Sequence, residues 1–233
     1  MEEPVRDRVA RVLERIDRAA ARSGRSPAAV RLVAVSKTRP PERVAEAYEA
    51  GLRVFGENYV QEAEDKVGAF PDAEWHLIGK LQGNKVRKAV SLFRWIQAVD
   101  STNLLAAVSR RCVEAGKTLP VLVEVNLAGE GSKAGISPEE LPALLSAAVG
   151  LPGVRIKGLM AIPPMTEDPE ESRPYFSRLR EILERFSGPG TGGERMTELS
   201  MGMSHDFEVA IEEGATMVRV GTAIFGSRAR REG

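Results

Sequence analysis

One lysine and two glycine-containing segments are the parts of this 233-residue chain that could do chemistry together. Lys37 follows the apolar run 32–35, and a lysine amine in an apolar setting has a lowered pKa and reacts with carbonyl groups. A side chain that simply escapes to solvent is the alternative for this lysine taken alone. The segments 200–204 and 219–222 contain glycines, which let backbone N–H groups approach an anion closely. Together these features predict a ligand that carries both a carbonyl group and a phosphate.

Secondary-structure elements must position these residues, and the sequence predicts that helices and strands alternate along the chain. Apolar residues at helical spacing predict a helix over 4–23 that is capped by Gly24, and prolines 40 and 41 suit the first turn of the next helix. Buried strands are predicted over 31–37, 53–58, 74–79, 95–100, 119–126, 154–162, 198–204 and 217–225. Helices are predicted over 42–50, 59–68, 84–91, 102–115, 138–149, 169–186 and 205–213, and Ser137 with Glu140 has the spacing of a capping box.

This alternation predicts the class of fold. Eight strands separated by helices indicate an α/β protein, a single (β/α)8 TIM barrel over residues 1–233 preceded by an N-terminal helix. An open doubly wound sheet is the alternative. In a barrel the carboxyl ends of the strands carry the chemistry, and phosphate sites often follow strands seven and eight. Lys37 and Asn58 end the first two predicted strands, and the two glycine segments belong to the last two.

Each of these features also has a plain structural explanation. Asn58 could cap the helix that follows it, and either glycine segment alone could reflect close packing at a crowded barrel end. Residue alternation along the last predicted strand places Arg219 and Gly221 on one face. The combination of these features with Lys37 favours a ligand site over separate packing roles.

Composition excludes several other classes of function. The chain has 33 basic and 33 acidic residues, and this balance argues against a nucleic-acid partner. A single cysteine, Cys112, excludes an intrachain disulfide, and two histidines with one cysteine are too few for a zinc site. No apolar run is long enough to span a membrane, and the acidic N-terminus lacks the basic start of a signal peptide, so a cytoplasmic protein is expected.

Two apparent motifs have simpler explanations. The spacing of Gly188, Gly190 and Gly193 matches a dinucleotide fingerprint, but a helix rather than a strand is predicted before it, so we expect a surface loop. Ser204, His205 and Asp206 have the residue types of a hydrolytic triad, but adjacent residues cannot converge as a triad requires. We expect a helix start there, with Ser204 near the N-cap and Asp206 in the first turn.

Several long motifs together resemble one known family. The segments that carry the resemblance are LVAVSKT (32–38), FGENYVQE (55–62), WHLIG (75–79), LQ (81–82), GLM (158–160), SMGMS (200–204) and VRVGTAIFG (218–226). They are similar, in order and over nearly the whole chain, to the pyridoxal phosphate homeostasis protein family. That family has the barrel of the alanine racemase N-terminal domain and binds pyridoxal 5′-phosphate (PLP).

The resemblance implies a role for each matching residue. Lys37 resembles the lysine that forms the internal aldimine, a Schiff base with PLP, and Arg219 resembles the arginine that faces the pyridine nitrogen. Asn58 is implied to lie near the ring. The residues in the segments implied to hold the phosphate are Ser200, Gly202, Gly221 and Thr222. Lys80, Gly83 and His205 depart from the family pattern, and no role is assigned to them.

The implied function is intracellular PLP homeostasis without catalysis. Arg219 keeps its proton at ordinary pH, so the pyridine nitrogen would stay an unprotonated acceptor and the ring would be a weak electron sink. The protein is then expected to be a monomer that holds PLP and supplies or buffers it, with PLP-dependent apoenzymes as candidate recipients and with neither nucleic acid nor a membrane as partner. The alternative is a small PLP-dependent amino-acid racemase without the usual C-terminal domain, in which Tyr59 would be the first candidate for the second base.

Overall fold

The protein folds as a closed barrel of eight parallel strands, which follow one another around the barrel in chain order. A computed structural model describes residues 3–129, 134–187 and 196–227, and the predicted loop at Gly188–Gly193 lies outside these ranges. The strands are β1 Arg31–Val35, β2 Val54–Glu57, β3 Glu74–Leu77, β4 Trp95–Val99, β5 Leu119–Glu124, β6 Val154–Met160, β7 Glu198–Met203 and β8 Met217–Val220. The first strand closes the barrel against the last, with Leu32 beside Val218. The predicted barrel is confirmed, and the open sheet is excluded.

Helices on the outside of the barrel connect the strands. They are α1 Val5–Arg22, α2 Pro41–Glu49, α3 Val60–Ala69, α4 Val86–Leu92, α5 Thr102–Glu114, α6 Leu141–Ala148, α7 Arg173–Phe186, α8 Phe207–Glu212 and α9 Thr222–Phe225, with 3₁₀ turns at Pro27–Ala29, Gly83–Lys85 and Pro169–Ser172. The N-terminal helix α1 precedes the barrel and packs against α2, α8 and α9. It ends as predicted, because Gly24 has φ 67° and the Arg25 N–H donates to the Ala20 carbonyl.

Two apolar layers explain why the strands are apolar almost throughout. Their outward-facing side chains join the helices in the main core. A smaller group of side chains fills the barrel interior: Val33, Val35, Ile78, Ala98, Leu122, Met160 and Met217. Because both faces of each strand are buried, neither face can be polar without hydrogen-bond partners. The interior polar residues described below are therefore exceptions that need an explanation.

Several predicted boundaries differ from the structure by one or two residues, and three differ by more, each for a local reason. The last strand ends at Val220 rather than 225, because Gly221 turns the chain and its carbonyl accepts from the N–H groups of Ile224 and Phe225 in α9. The helix predicted from 138 begins only at Leu141. Its predicted capping box forms in part, since Glu140 Oε2 accepts from the Ser137 N–H at 2.8 Å. The helix predicted from 169 begins as a 3₁₀ turn before α7.

Two further expectations concern the chain as a whole. Among the described residues, no helix is both long and apolar enough to cross a bilayer. No group of metal-ligating side chains occurs in the same ranges. The predicted cytoplasmic location and monomeric state stay predictions.

Candidate functional site

The predicted site residues lie at the carboxyl ends of four neighbouring strands. Lys37 lies two residues beyond β1, and Asn58 lies one residue beyond β2. Arg219 is in β8, and Gly221 and Thr222 follow directly. Ser200 and Gly202 are in β7. Because β7, β8, β1 and β2 are consecutive and parallel, these residues all belong to one side of the barrel mouth.

The turn that carries Lys37 is strained. Lys37 is half-buried, and the next residue, Thr38, has φ 61°, in the left-handed region that β-branched residues rarely adopt. The Thr38 N–H donates to Glu62 Oε2 at 2.8 Å, and the Arg39 N–H donates to the Ser36 carbonyl at 3.0 Å. Such strain costs about 1–3 kcal/mol and persists only where its surroundings fix it. The hydrogen bonds on both sides of Lys37 therefore fix the backbone of this residue.

A buried ion pair supports the same turn from outside the barrel. We call Ser36, Glu57 and Lys66 the outer cluster. The Lys66 ammonium lies 2.6 Å from Glu57 Oε1 and donates to the Ser36 carbonyl at 2.8 Å, and the Ser36 hydroxyl donates to the same Glu57 oxygen at 2.7 Å. Glu57 Oε2 is buried without a hydrogen-bond partner. Burial raises the pKa of Glu57, although its hydrogen bond to Lys66 opposes the shift.

Arg219 is a buried cation whose hydrogen-bond partners are neutral. It is 3% exposed, and its Nη1 donates to the Ser200 hydroxyl at 2.6 Å while its Nη2 donates to the Ala161 carbonyl at 2.9 Å. Burial lowers the pKa of Arg219 to about 10, against the opposing effects of Glu124 and Asp206, so the guanidinium stays charged at neutral pH. Within the described part of the chain, no carboxylate forms an ion pair with it. The charge is thus available to a ligand.

Ser200 is placed differently from its neighbours in the implied phosphate segment. Its hydroxyl accepts from Arg219 and donates to Gln97 Oε1 at 2.6 Å, in the barrel interior. Its O–H and one of its two lone pairs are thereby used within the protein. Ser200 belongs to the candidate site through Arg219, and its hydroxyl does not face the turn at Gly221.

The hydroxyl that does face this turn belongs to Ser204. Its oxygen accepts from the Gly221 N–H at 3.1 Å and from the Ala223 N–H at 3.2 Å. A serine hydroxyl with both lone pairs engaged still has its own hydrogen to donate. These two N–H groups are thus engaged by Ser204 itself, and the Ser204 O–H is the donor that remains at this turn. Thr222 is exposed at the same turn.

Gly202 allows this turn to form against α8. It has φ 88°, and a Cβ there would lie 2.5 Å from the Ala210 Cβ. The expected helix start at Ser204 is shifted, because Asp206 is the N-cap residue of α8. The Asp206 carboxylate accepts from the Met203 N–H at 2.7 Å. This leaves Ser204 in the turn between β7 and α8, while His205 is exposed.

Asn58 lines a depression at the mouth, where the loops after β2 and β3 meet. A Cβ at Gly79 would come within 2.6 Å of the Asn58 carbonyl oxygen, so glycine is required for the loops after β2 and β3 to approach each other. The depression has a volume of about 510 Å³, and its lining includes Asn58, Tyr59, Lys80 and Lys85. The mouth therefore has an open, partly basic side beyond Asn58.

Glu124 is a buried carboxyl at the end of β5 that sequence reasoning missed. It is 6% exposed, and burial raises its pKa to about 7. The positive charges of Arg219 and Lys80 oppose this shift, and the negative charge of Asp100 adds to it. Lys80 in turn lies 3.7 Å from Asp100. This carboxyl can therefore hold or release a proton near neutral pH.

Gln97 and His76 are further interior polar residues that were missed. Both are fully buried, and Gln97 Nε2 lies 2.7 Å from His76 Nδ1. Each is a polar residue within an otherwise apolar predicted strand, which was the available signal. Strict alternation would make Gln97 and its neighbour Ala98 face opposite sides of the strand. A β-bulge between Ile96 and Val99 allows both side chains to face the barrel interior.

The three tyrosines differ in their relation to the mouth. Tyr59 precedes α3 next to Asn58 and is 55% exposed. Tyr48 packs against Phe70 with ring centroids 5.3 Å apart, and Tyr175 is half-buried in α7. Tyr59 is therefore the tyrosine that is open to solvent beside the candidate site.

Comparison with known proteins places this geometry in a class. The family model of the alanine racemase N-terminal domain matches residues 8–229. Alanine racemase from Corynebacterium glutamicum shares the fold at 16% identity, with a TM-score of 0.69 over 96% of this chain and 62% of that one.

Proteins of higher sequence identity identify the family within this class. The pyridoxal phosphate homeostasis protein of Aquifex aeolicus strain VF5 is 46% identical over 95% of this chain and 97% of its own length. The protein of the same name from Escherichia coli K12 is 43% identical over 94% of this chain and 95% of its own length. The structure of PipY from Synechococcus elongatus PCC7942, with PLP bound, is 41% identical, with a TM-score of 0.83 over 95% of this chain and all of that one. The chain belongs to the pyridoxal phosphate homeostasis protein family.

Proposed function

We propose that this chain binds PLP at the barrel mouth and keeps it available to the cell as a carrier. The observation that carries the proposal is the donor set at the ends of four consecutive strands: a lysine amine, a buried arginine with neutral partners, and a glycine-containing turn at which Ser204 keeps an O–H to donate. These groups match the aldehyde, the pyridine nitrogen and the phosphate of PLP. The PLP-bound structure of PipY, at 41% identity, supports the assignment.

Each group has a proposed role. Lys37 forms the Schiff base with the aldehyde, and Arg219 donates to the pyridine nitrogen. The turn formed by Gly202, Gly221 and Thr222 holds the phosphate, to which we add the Ser204 hydroxyl as a donor. Asn58 lies on the ring side of the mouth. PLP would supply the reactive aldehyde, which the protein keeps out of solution.

The linkage is tested with borohydride, which reduces a Schiff base to a stable bond. Protein purified with PLP should absorb visible light, and after reduction peptide mass analysis should find the cofactor on Lys37. Lys37→Ala should lose the label, whereas Lys80→Ala, which removes another amine near the mouth, should keep it. A label on Lys80 or Lys157 in the wild-type protein would refute the assignment.

The phosphate end is tested with pyridoxal, which lacks the phosphate. Several charge-assisted hydrogen bonds of roughly 1.5–3 kcal/mol each would be missing, so pyridoxal should bind far more weakly than PLP. Titration of the apoprotein by fluorescence measures both affinities. Equal affinities would show that the turn does not hold the phosphate.

The carrier role, rather than catalysis, is the second part of the proposal. An arginine opposite the pyridine nitrogen leaves that nitrogen unprotonated and the ring a weak electron sink. We therefore expect negligible α-hydrogen exchange of alanine or serine in heavy water, compared with ordinary turnover of about 1–10³ s⁻¹. In the cell, the proposed carrier is a monomer that delivers PLP to PLP-dependent apoenzymes.

A small amino-acid racemase is the competing function, and Glu124 gives it some support. A second base is what such an enzyme needs, and a carboxyl with a pKa of about 7 could transfer a proton at neutral pH. Exposed Tyr59 is the other candidate base. Fast exchange coupled to racemisation, lost in Lys37→Ala, would favour this function, and Glu124→Gln and Tyr59→Phe would then identify the second base.

A further inference from the structure

A chain of hydrogen bonds crosses the barrel interior below Arg219. Arg219 donates to Ser200 at 2.6 Å, and Ser200 donates to Gln97 Oε1 at 2.6 Å. Gln97 Nε2 lies 2.7 Å from His76 Nδ1, and His76 Nε2 lies 2.8 Å from Glu74 Oε1. We call these five residues the interior relay. It runs from β8 and β7 to β4 and β3 on the opposite side of the barrel.

The two ends of the relay fix its direction. An arginine can only donate hydrogen bonds, and an ionised carboxylate such as Glu74 can only accept them. A neutral His76 must then carry its proton on Nε2, towards Glu74, and present a lone pair at Nδ1. Gln97 must therefore turn its amide N–H to His76 and its oxygen to Ser200. A single arrangement satisfies every bond, and in it every donor points away from Arg219.

The surroundings of His76 favour the neutral form that this arrangement needs. Its side chain is fully buried and stacks on Trp95 with centroids 5.5 Å apart. Burial lowers the pKa of His76; Glu74 and Glu198 oppose the shift, and Arg31 adds to it. The second N–H of Gln97 reaches the Met217 sulfur at 3.6 Å.

We propose that Gln97 and His76 are positioning residues, which act through Ser200 to hold the Arg219 guanidinium in one orientation at the mouth. Because Ser200 must give its hydrogen to Gln97, its lone pair always faces Arg219. The guanidinium is thus kept as a donor at a fixed place. The consequence for PLP rests on the proposed function, whereas the relay itself is a property of the protein alone.

The first test needs no cofactor. The chain has two histidines, so ¹⁵N NMR of the apoprotein gives one signal set for His76 and one for the exposed His205. We expect His76 to be the Nε2–H tautomer, with Nδ1 unprotonated at neutral pH. A doubly protonated His76, or the Nδ1–H tautomer, would overturn the relay, because Nδ1 could not then accept from Gln97.

The second test asks whether the relay acts on the mouth. Gln97→Met keeps the volume but removes both links, and Ser200→Ala removes the link next to Arg219. Each should bind PLP about tenfold more weakly and shift the visible band of the bound cofactor. Ser109→Ala is the matched control, since buried Ser109 also donates a 2.6 Å hydrogen bond through its hydroxyl, to the Pro152 carbonyl in another part of the fold. This control should leave both readouts unchanged.

The possible outcomes separate the two proposals. Wild-type affinity and spectrum in folded Gln97→Met would overturn the positioning role. If that variant does not fold, Ser200→Ala and the wild-type His76 spectrum still decide. A wild-type protein that takes up no PLP would refute the proposed function, and the His76 tautomer would still support or overturn the relay.

Discussion

Two polar networks flank the strands that carry the candidate site, and they handle buried charge in opposite ways. In the outer cluster, the Lys66 ammonium lies against the Glu57 carboxylate at 2.6 Å. In the interior relay, the Arg219 guanidinium contacts a hydroxyl and a backbone carbonyl, both neutral. The outer charges are largely compensated within the protein, whereas the inner charge is solvated only by dipoles.

This difference indicates which network is built for the fold and which for a ligand. An ion pair that neutralises itself has little left for a third group, so the outer cluster anchors the turn beyond β1. A cation that is buried without a neighbouring anion destabilises the folded protein unless a ligand interacts with its charge. The comparison therefore predicts that breaking the ion pair outside the barrel mainly lowers stability, whereas removing Arg219 inside it mainly weakens binding.

Lys66→Met is expected to have the largest effect on stability. It leaves the Glu57 carboxylate buried without its cation, which costs about 3–5 kcal/mol of unfolding free energy at neutral pH. Because burial raises the pKa of Glu57, the loss should shrink at acidic pH, where that carboxyl is neutral. Urea denaturation at several pH values measures this. Lys88→Met, which breaks the exposed pair with Glu64, is the control and should cost at most about 1 kcal/mol. An equally small cost for Lys66→Met would remove the distinction between the networks.

Glu124→Gln tests how a buried carboxyl on the inner side affects the stability of the protein. Burial raises the pKa of Glu124 from 4.5 to about 7, so the folded state favours its protonated form. Its contribution to stability is fully present below about pH 4.5 and is lost as pH rises through 7, by roughly 3 kcal/mol. The variant should therefore match the wild type at pH 4 and be more stable at pH 8. Glu139→Gln gives the effect of removing an exposed carboxyl. A variant less stable than the wild type at pH 8 would indicate instead that Glu124 forms an ion pair with Arg219.

Arg219→Met separates binding from folding. We expect PLP affinity to fall about tenfold to hundredfold, because a charge-assisted donor is lost. The unfolding free energy should change by less than about 1 kcal/mol, since a buried charge without an anion is removed. Arg25→Met is the matched control, because Arg25 also donates to carbonyls, those of Ile211 and Ala215, and burial also lowers its pKa. It should leave PLP binding intact. Unchanged binding in Arg219→Met would place the pyridine nitrogen elsewhere.

The barrel could be predicted from the sequence because buried parallel strands leave a repeated apolar signal. The boundaries that failed depend on single hydrogen bonds that such patterns do not contain. The carbonyl of Gly221 starts α9 within the predicted eighth strand, and a 3₁₀ turn precedes α7. Neither changes the periodicity of apolar residues, so periodicity could not reveal them.

The candidate site was predictable where a residue's place in a strand determines its environment. Lys37 and Arg219 are of this kind. Gln97 was not, because the bulge in β4 alters the alternation on which such reasoning depends. Ser204 was not either, because its role comes from contacts with Gly221 and Ala223, which follow it on the next βα unit of the chain.

Ser204→Ala is expected to have the smallest effect, and it tests the phosphate end against the Arg219 end. The variant removes one hydroxyl donor and the acceptor of two N–H groups, so PLP affinity should fall by about fivefold to tenfold. Affinity for pyridoxal should not change, because that compound has no phosphate to contact. Arg219→Met, in contrast, should weaken both ligands, since both contain the pyridine ring. Ser109→Ala serves again as the control for a lost buried hydroxyl. If Ser204→Ala weakened pyridoxal as much as PLP, the hydroxyl would act on the shape of the mouth and not on the phosphate.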